Sequence, residues 1–361
     1  MNKGNNRSRQ TEIIVIIPVY NCERYVKEAT KSVLAQPYRN IFIVLVDDGS
    51  TDGSGRLCDE LVMESDQVVA LHQRNTGVSA ARNAGIEYVF EHFKGSCQAQ
   101  YIAFLDADDG WVSGFFSDGT DELLKKGYDL IGFQSGYCDA KLRLRGTPCE
   151  MPPGPHKGGQ DNVWLHGKQS FGAMLYSKAF IQANGIFFFD ELKYSEDKIF
   201  SMECMYLSKS IYLENRLLYL YRHTGSSAMH QRLYGIPYYE SIINGYIKLD
   251  KLMREHSDGE NLKPLMEARI LASLYIMEML AEHFQLLRSK KKIDKILAEN
   301  TRYIDLLEAS GEYSDLRPNP VYVQYRNHPY LYITYNNLIG GIKLCKRTIY
   351  KLWNSKRKSC F

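Results

Sequence analysis

Three acidic clusters stand beside apolar runs in this chain. Asp47-Asp48 follow Ile41-Phe42-Ile43-Val44-Leu45-Val46, and Asp106-Ala107-Asp108-Asp109 follow Tyr101-Ile102-Ala103-Phe104-Leu105. Further on, Glu196-Asp197 open an amphipathic segment. Carboxylates at the C-terminal ends of strands sit where an open α/β sheet binds its ligand. Asp106 and Asp108, two residues apart, share a face on an extended strand. Their oxygens suit a hard divalent cation. Together the clusters suggest a metal-assisted reaction on a phosphate-bearing substrate.

The elements that must position these acids are legible in the apolar pattern. Runs at 13–17, 41–46, 68–71, 101–105 and 130–133 read as buried strands. Helical stretches are predicted between them at 23–35, 53–63, 78–93 and 115–125. Such alternation argues for a largely parallel sheet covered on both faces. Pro18 is expected to end the first strand, having no N–H for the ladder. Residues 149–159, rich in Pro and Gly, read as a loop. Apolar segments resume at 171–180 and 186–189, a helix is predicted over 196–206, and short strands at 211–213 and 217–221. From Tyr234 the pattern is helical, notably over 262–287 and 293–307.

A chain of 361 residues can bury a large core and hold more than one domain. The net charge of +3 hides a segregation, because residues 316–361 carry nine Lys or Arg and no Asp or Glu. That leaves 36 basic against 42 acidic residues in 1–315, a net of −6. The eight cysteines show no zinc-like or CxxC spacing, which reads as buried thiols in a reducing compartment. No secretory h-region is visible near Met1, and no apolar run reaches the ~20 residues of a membrane span. The expectation is a cytoplasmic protein, with contact at the inner face of the plasma membrane as one of two readings of its basic tail. The division expected is a disordered 1–11, an α/β domain over 12–230, a helical region over 231–341 and a basic amphipathic tail over 342–361.

Four ordered motifs carry a resemblance. They are Ile16-Ile17-Pro18-Val19-Tyr20-Asn21, Val46-Asp47-Asp48-Gly49-Ser50-Thr51-Asp52, Asn75-Thr76-Gly77-Val78-Ser79-Ala80-Ala81-Arg82-Asn83-Ala84-Gly85 and Phe104-Leu105-Asp106-Ala107-Asp108-Asp109. The chain closely resembles glycosyltransferase family 2 over roughly residues 12–225. The resemblance implies a GT-A α/β fold, with a mostly parallel mixed sheet, and inverting transfer from a nucleotide sugar. It implies that Asp48 hydrogen-bonds the nucleotide base, with Tyr20 and the backbone near Pro18 flanking it, so that the donor is UDP-linked. It places Asp108 on Mn²⁺ or Mg²⁺, Asp106 near the ribose or metal waters, and Asp109 near the acceptor side or behind the metal shell.

Inverting transfer also needs a base for the acceptor hydroxyl. Asp197 stands where the family carries it, with Glu196 holding the acceptor or tuning its neighbour. Arg82 has two readings: reaching the donor's phosphates, or pairing with the Asp cluster to hold the fold. Arg222 and His223 resemble the family's segment over the diphosphate, where they would neutralise leaving-group charge. Asp52 reads as cap chemistry for the following helix.

The tail places Ile342, Cys345, Ile349, Leu352 and Trp353 on one helical face, with Lys and Arg elsewhere. This suits either an anionic membrane surface or packing within the helical region. Nucleic acid is not expected as a partner, since no recognition module accompanies the charge. The reading is a sugar transferase acting on a hydroxyl of a glycan or lipid-linked glycan in polysaccharide or glycoconjugate synthesis. Its rivals are a polyprenyl-phosphate sugar transferase and a non-catalytic scaffold that retains the fold.

Overall fold

The computed structural model describes residues 13–93, 101–117, 120–148, 152–158 and 171–222, plus isolated helical positions between 241 and 255. The chain divides into two compact units, Met1–Arg232 and Leu233–Phe361. Beyond those isolated positions, the predicted helical region and the basic tail lie outside the described residues, as does the expected disordered segment 1–11. Among the described residues no helix is long and apolar enough to cross a membrane.

The first unit begins with β1 (Ile13–Val19), α1 (Val26–Leu34), β2 (Ile41–Asp47), α2 (Ser54–Glu64), β3 (Val68–His72) and α3 (Val78–His92). It continues with β4 (Tyr101–Phe104), β5 (Gly110–Trp111), α4 (Thr120–Lys125), β6 (Leu130–Cys138), β7 (Leu144–Arg145) and β8 (Gly154–His156). A 3₁₀ turn (Phe171–Ala173) leads into β9 (Met174–Ser177), α5 (Lys178–Asn184), α6 (Glu196–Leu207) and β10 (Ile211–Arg222).

One ten-stranded sheet runs β3-β2-β1-β4-β9-β6-β10-β5, with β7 on β6 and β8 on β10. β3, β2, β1 and β4 are mutually parallel, and β9 lies antiparallel between β4 and β6. Every residue of β1 and β2 is buried, as strands covered on both faces require. The chain builds outward from β1 to β3 and then returns to the other side of β1 as β4. That reversal is a switch point, and it opens a crevice at the carboxyl ends of β1 and β4. The α/β expectation holds, and the acidic loops flank this crevice.

One face of the sheet packs Val26, Ala29 and Val33 of α1 and Cys58 and Leu61 of α2 onto Ile13, Val15, Ile43 and Leu45. On the other, Phe104, Phe171, Tyr176, Phe188 and Phe200 form an aromatic cluster, with Phe188 and Phe200 stacked at 4.1 Å. This cluster seats the first half of α6 against the sheet. Among the described cysteines, Cys58, Cys138 and Cys204 are buried free thiols.

Several local expectations need correction. Pro18 does not end β1, which runs on to Val19 with Pro18 opposite Val46. The Ile16 carbonyl faces β4, accepting from the Leu105 N–H at 3.1 Å. Pro18, two residues on, faces the same way, beyond the last β4 pair, so its missing donor costs nothing. Of the predicted helix over 115–125, residues 115–117 are not helical and α4 spans Thr120–Lys125. The backbone of Phe116 is engaged elsewhere, by the Gln36 side chain and the Tyr38 N–H. The two strands predicted over 211–221 are one strand, β10, whose register slips around Leu213–Tyr219. The polar Glu214-Asn215-Arg216 at that bulge mimics a break in the apolar pattern. Part of the 149–159 loop is β8, paired with Ile211–Leu213.

Two predictions follow from packing. Gly85 lets α3 approach β1: a Cβ there would meet Ile16 Cγ2 at 2.5 Å. Overpacking costs about 1–3 kcal/mol, more than the ~1 kcal/mol that alanine gains in a helix. Gly85→Ala is therefore expected to lower the melting temperature, and an unchanged or higher value would show that Ile16 yields freely. Glu203 of α6 is buried, with Oε2 lacking a partner among the described residues, and burial pushes its carboxyl up to about 7. A folded-state pKa above the unfolded value gives stability that is present at low pH and lost as pH rises to neutrality. Glu203→Gln should thus gain about 1–3 kcal/mol over wild type at pH 8 and little at pH 4, read from paired melts. Equal gains at both pH values would rule out titration of Glu203 as the cause.

Candidate active site

The loops after β1 and β2 are stitched into one rim. The Asn21 N–H donates to Ser50 Oγ at 3.1 Å, and Asn21 Oδ1 accepts from the Thr51 N–H at 2.8 Å. The Cys22 N–H donates to Ser54 Oγ at 2.8 Å. Asp52 accepts from the Glu23 and Ser54 N–H groups, consistent with its structural reading. Tyr20 stands exposed on this rim, where a flat ring is free to stack. Asp47 serves the turn and the sheet edge, accepting from the Ser50 N–H and sharing His72 with Asp59.

Asp48 is buried and holds the entry to α3. Its Oδ1 accepts from the Thr76 N–H at 2.9 Å and from Gln73 Nε2 at 2.8 Å, and its Oδ2 from the Gly77 N–H at 2.9 Å. These bonds restrain the residues just before the first turn of α3. The carboxylate predicted to read the base is thus itself fixed by three loop donors.

Arg82 leaves that helix pointing into the crevice and joins two of the predicted acids. Its Nη2 donates to Asp106 Oδ1 at 2.8 Å and its Nη1 to Glu196 Oε1 at 3.0 Å. Only 4% of the side chain is exposed, and Phe171 and Phe188 lie 4.9 and 5.2 Å from the guanidinium. Burial works against this charge, but Asp106, Glu196 and Asp197 outweigh it and raise the pKa further. Of the two readings for Arg82, the structure shows the pairing, and it spans both acid clusters. Next to it, Asn83 Nδ2 donates to the Phe188 carbonyl, and Asn83 Oδ1 accepts from the Phe188 N–H. That clasp fixes the segment leading to α6.

Among the three acids after β4, the environments differ. Asp106 is partly exposed and paired with Arg82. Asp108 accepts no hydrogen bond from another side chain among the described residues, and burial followed by Asp106 pushes its carboxyl up to about 6. Asp109 is buried, accepting from Tyr219 Oη at 2.5 Å and from the Arg222 N–H at 2.7 Å. Burial, then Asp106 and Asp108, raise it well above the usual carboxylate range. Asp109 therefore braces the loop from behind.

Arg222 is also a brace. Its Nε donates to the Asp108 carbonyl at 2.6 Å, one Nη to Glu28 at 2.8 Å and the other to the Ala140 carbonyl. The side chain is fully buried against Tyr25, so its donors face the scaffold. His223 lies outside the described residues. Tyr219 and Glu28 were not singled out by the sequence. Tyr219 reads locally as one more apolar strand residue, yet its hydroxyl also accepts from the Asp106 N–H at 3.3 Å.

Glu196 and Asp197 occupy the first turn of α6, where the helix dipole favours negative charge. Ser195 before them is left-handed, φ 61°, which turns the chain sharply into the helix. Burial and then Asp197 raise the Glu196 pKa, with Arg82 opposing them. Asp197 accepts from the adjacent Lys198 N–H and from no side chain among the described residues.

Among the described residues no three His, Cys, Asp or Glu converge as a complete metal cage. The Asp106–Asp108 pair nevertheless fits a divalent cation. Asp108 is a half-buried carboxylate without a hydrogen-bonded cation among the described residues, and Mg²⁺-type ions take one or two carboxylates and complete their shell from phosphate and water.

Comparison with known proteins bears on the family and the fold. Residues 14–182 match the model of glycosyl transferase family 2. Glycosyltransferase GlyA of Streptococcus pneumoniae serotype 4 is 39% identical over 115 residues, covering 32% of this chain and 15% of that protein. The uncharacterized glycosyltransferase EpsJ of Bacillus subtilis is 26% identical over 226 residues, covering 60% of this chain and 62% of that one. The chain thus spans less than two thirds of the length of either relative. The structure of S. aureus TarS 1–349 in complex with UDP-GlcNAc superposes with a TM-score of 0.55 at 17% identity, over 83% of this chain and 92% of that one. The likeness is one of fold, and it agrees with the GT-A architecture expected of the sheet. With the motifs, the sheet and the family match in agreement, residues 14–182 form a glycosyl transferase family 2 domain.

Proposed function

We propose that this protein is an inverting glycosyltransferase that moves a sugar from a nucleotide donor, UDP-linked, to a hydroxyl of a glycan or lipid-linked glycan. One observation carries the reading. Arg82 takes one acid from each pair, Asp106 and Glu196, and leaves Asp108 and Asp197 without a hydrogen-bonded side-chain partner among the described residues. The two acids left over are the two that the chemistry needs.

On this reading the exposed Tyr20 stacks on the nucleobase, beside the backbone at Pro18 and the fixed carboxylate of Asp48. The diphosphate lies across the crevice mouth toward Asp106 and Asp108. Those two would hold Mn²⁺ or Mg²⁺, which supplies charge neutralisation for the departing diphosphate. Asp197 accepts the proton of the attacking hydroxyl, and Glu196, held by Arg82, orients the acceptor. Asp109, Tyr219 and Arg222 keep the metal-side loop in place, which is what a positioned displacement requires. The UDP-GlcNAc bound by the structurally similar TarS supports a UDP-linked donor. A role in polysaccharide or glycoconjugate synthesis at the inner membrane face would suit the basic tail.

Metal-dependent UDP release from a panel of UDP-sugars tests the donor half. Asp108→Ala should lower it by about 10²–10³-fold, and release equal to wild type would remove the metal assignment. Asp197→Ala should lower transfer to a hydroxyl acceptor by about 10²–10⁴-fold while leaving nucleotide affinity in place. Transfer that survives Asp197→Ala but not Asp108→Ala would favour a phosphate acceptor, as in a polyprenyl-phosphate sugar transferase. No binding or hydrolysis of any nucleotide sugar with Mn²⁺ would favour a scaffold instead.

Arg82 connects the two halves. Removing one partner of a buried charge pair costs about 3–5 kcal/mol, so Arg82→Gln should melt well below wild type. Arg82→Lys keeps the charge without the fork. It should melt close to wild type yet transfer sugar at least about tenfold more slowly. Wild-type transfer by the lysine variant would mean that charge alone, not the bridge, is needed.

A further inference from the structure

The hairpin of β6 and β7 carries a surface that the transfer chemistry does not use. Register places Arg145 of β7 opposite Tyr137 of β6, and Tyr137 opposite Tyr221 of β10. The three side chains therefore share one face of the sheet in a row across three strands, spanning about 10 Å. The two tyrosine rings meet edge to face at 5.6 Å, and Tyr137 is 61% exposed. A tyrosine at that exposure, on an ordered strand, presents an apolar ring with a polar tip to solvent.

Beside the rings stands an ordered pair of arginines. Asp139 at the hairpin turn accepts from Arg143 Nε at 3.0 Å and from Arg145 Nη2 at 2.8 Å. It also accepts from the Lys141 and Arg143 N–H groups. The Arg143 backbone first, then Lys141 and the guanidinium groups, hold Asp139 far below the usual carboxylate range. Both arginines remain about two-thirds exposed. Each guanidinium has five N–H donors, so most of them point outward, already oriented. With Lys141, the turn has two positive charges in excess of Asp139.

The hairpin is also tied to the catalytic loop. Arg222 bonds both the Ala140 carbonyl of the turn and the Asp108 carbonyl. Leu142 packs on Gly110, leaving no room for a side chain there. The row is thus held at a fixed offset from Asp108.

We propose that the Arg145–Tyr137–Tyr221 row, with Arg143, is an acceptor subsite that binds an anionic glycan, stacking sugar rings on the tyrosines and taking phosphate or carboxylate groups on the arginines. This assignment rests on the glycosyltransfer reading and narrows its acceptor to a charged chain. Sugar rings offer an apolar C–H face to an aromatic ring. Arginine forks match the oxygens of phosphate and carboxylate alike.

The test is calorimetric titration of the full-length protein with dextran sulfate and with neutral dextran of equal length. Dextran sulfate should bind at least about tenfold more tightly. Tyr137→Ala and the double variant Arg143→Gln/Arg145→Gln should each weaken it about tenfold, while Tyr137→Phe, which keeps the ring, should not. Melting temperature and UDP affinity should stay at wild-type values in all of them, since these side chains are exposed. Dextran sulfate bound equally well by the variants would overturn the proposal and point to another basic surface. Equal binding of the neutral chain would overturn its anionic part. If the variants instead lose only binding to phosphatidylglycerol vesicles, the surface is a membrane contact and the glycan assignment is wrong. Failure of the wild type to bind UDP would count against the glycosyltransfer reading alone, because glycan binding is measured without it.

Discussion

The site depends on one buried cation. Arg82 sits between a carboxylate on the β4 loop and a carboxylate on α6, two elements far apart in sequence that must meet to make an active site. A buried guanidinium is costly to desolvate, and it is tolerated only where paired and hydrogen-bonded. Phe171 and Phe188 on its flanks exclude water, which strengthens the attraction to both acids. The bridge therefore sets the distance between the proposed donor and acceptor ends. It also decides which carboxylates are occupied and which stay available.

Around that bridge the fold adds braces rather than further chemistry. Asp109, Tyr219 and Arg222 fix the backbone of the Asp106–Asp108 loop from β10 and α1. Asn83 clasps the segment that delivers α6. Each brace is a polar side chain with little exposure and several strong bonds. Side chains so engaged hold geometry well and have little capacity left for a ligand.

Much of this was legible before any coordinates. The apolar runs located β1, β2, β3 and β4 because strands buried on both faces leave continuous hydrophobic stretches. The acids at their carboxyl ends followed from the same rule. What could not be read was which acid each arginine would choose. Arg82 and Glu196 are 114 residues apart, and Arg222 and Glu28 are 194 apart, and no local spacing reports such pairings. Tyr219 was hidden for a related reason, since a hydroxyl inside an apolar strand carries no pattern of its own. β10 was split in the reading because a bulge and a true end both place polar residues in a row. The α4 start was misplaced because Phe115 and Phe116 are helix-compatible, but the Phe116 backbone is spent on Gln36 and Tyr38.

The bonds of Asp48 have a mechanical consequence. Its carboxylate grips the Thr76 and Gly77 amides, Gly77 opens α3, and α3 carries Arg82 one turn later. From Asp48, on the proposed nucleotide rim, to Glu196, at the proposed acceptor end, there is then a continuous linkage of short, charge-assisted bonds and one stiff helix. A displacement imposed at Asp48 is transmitted along α3 to Glu196 instead of being absorbed on the way. The two ends of the crevice form one rigid jig, and they keep their alignment whether or not the sheet edges flex around them.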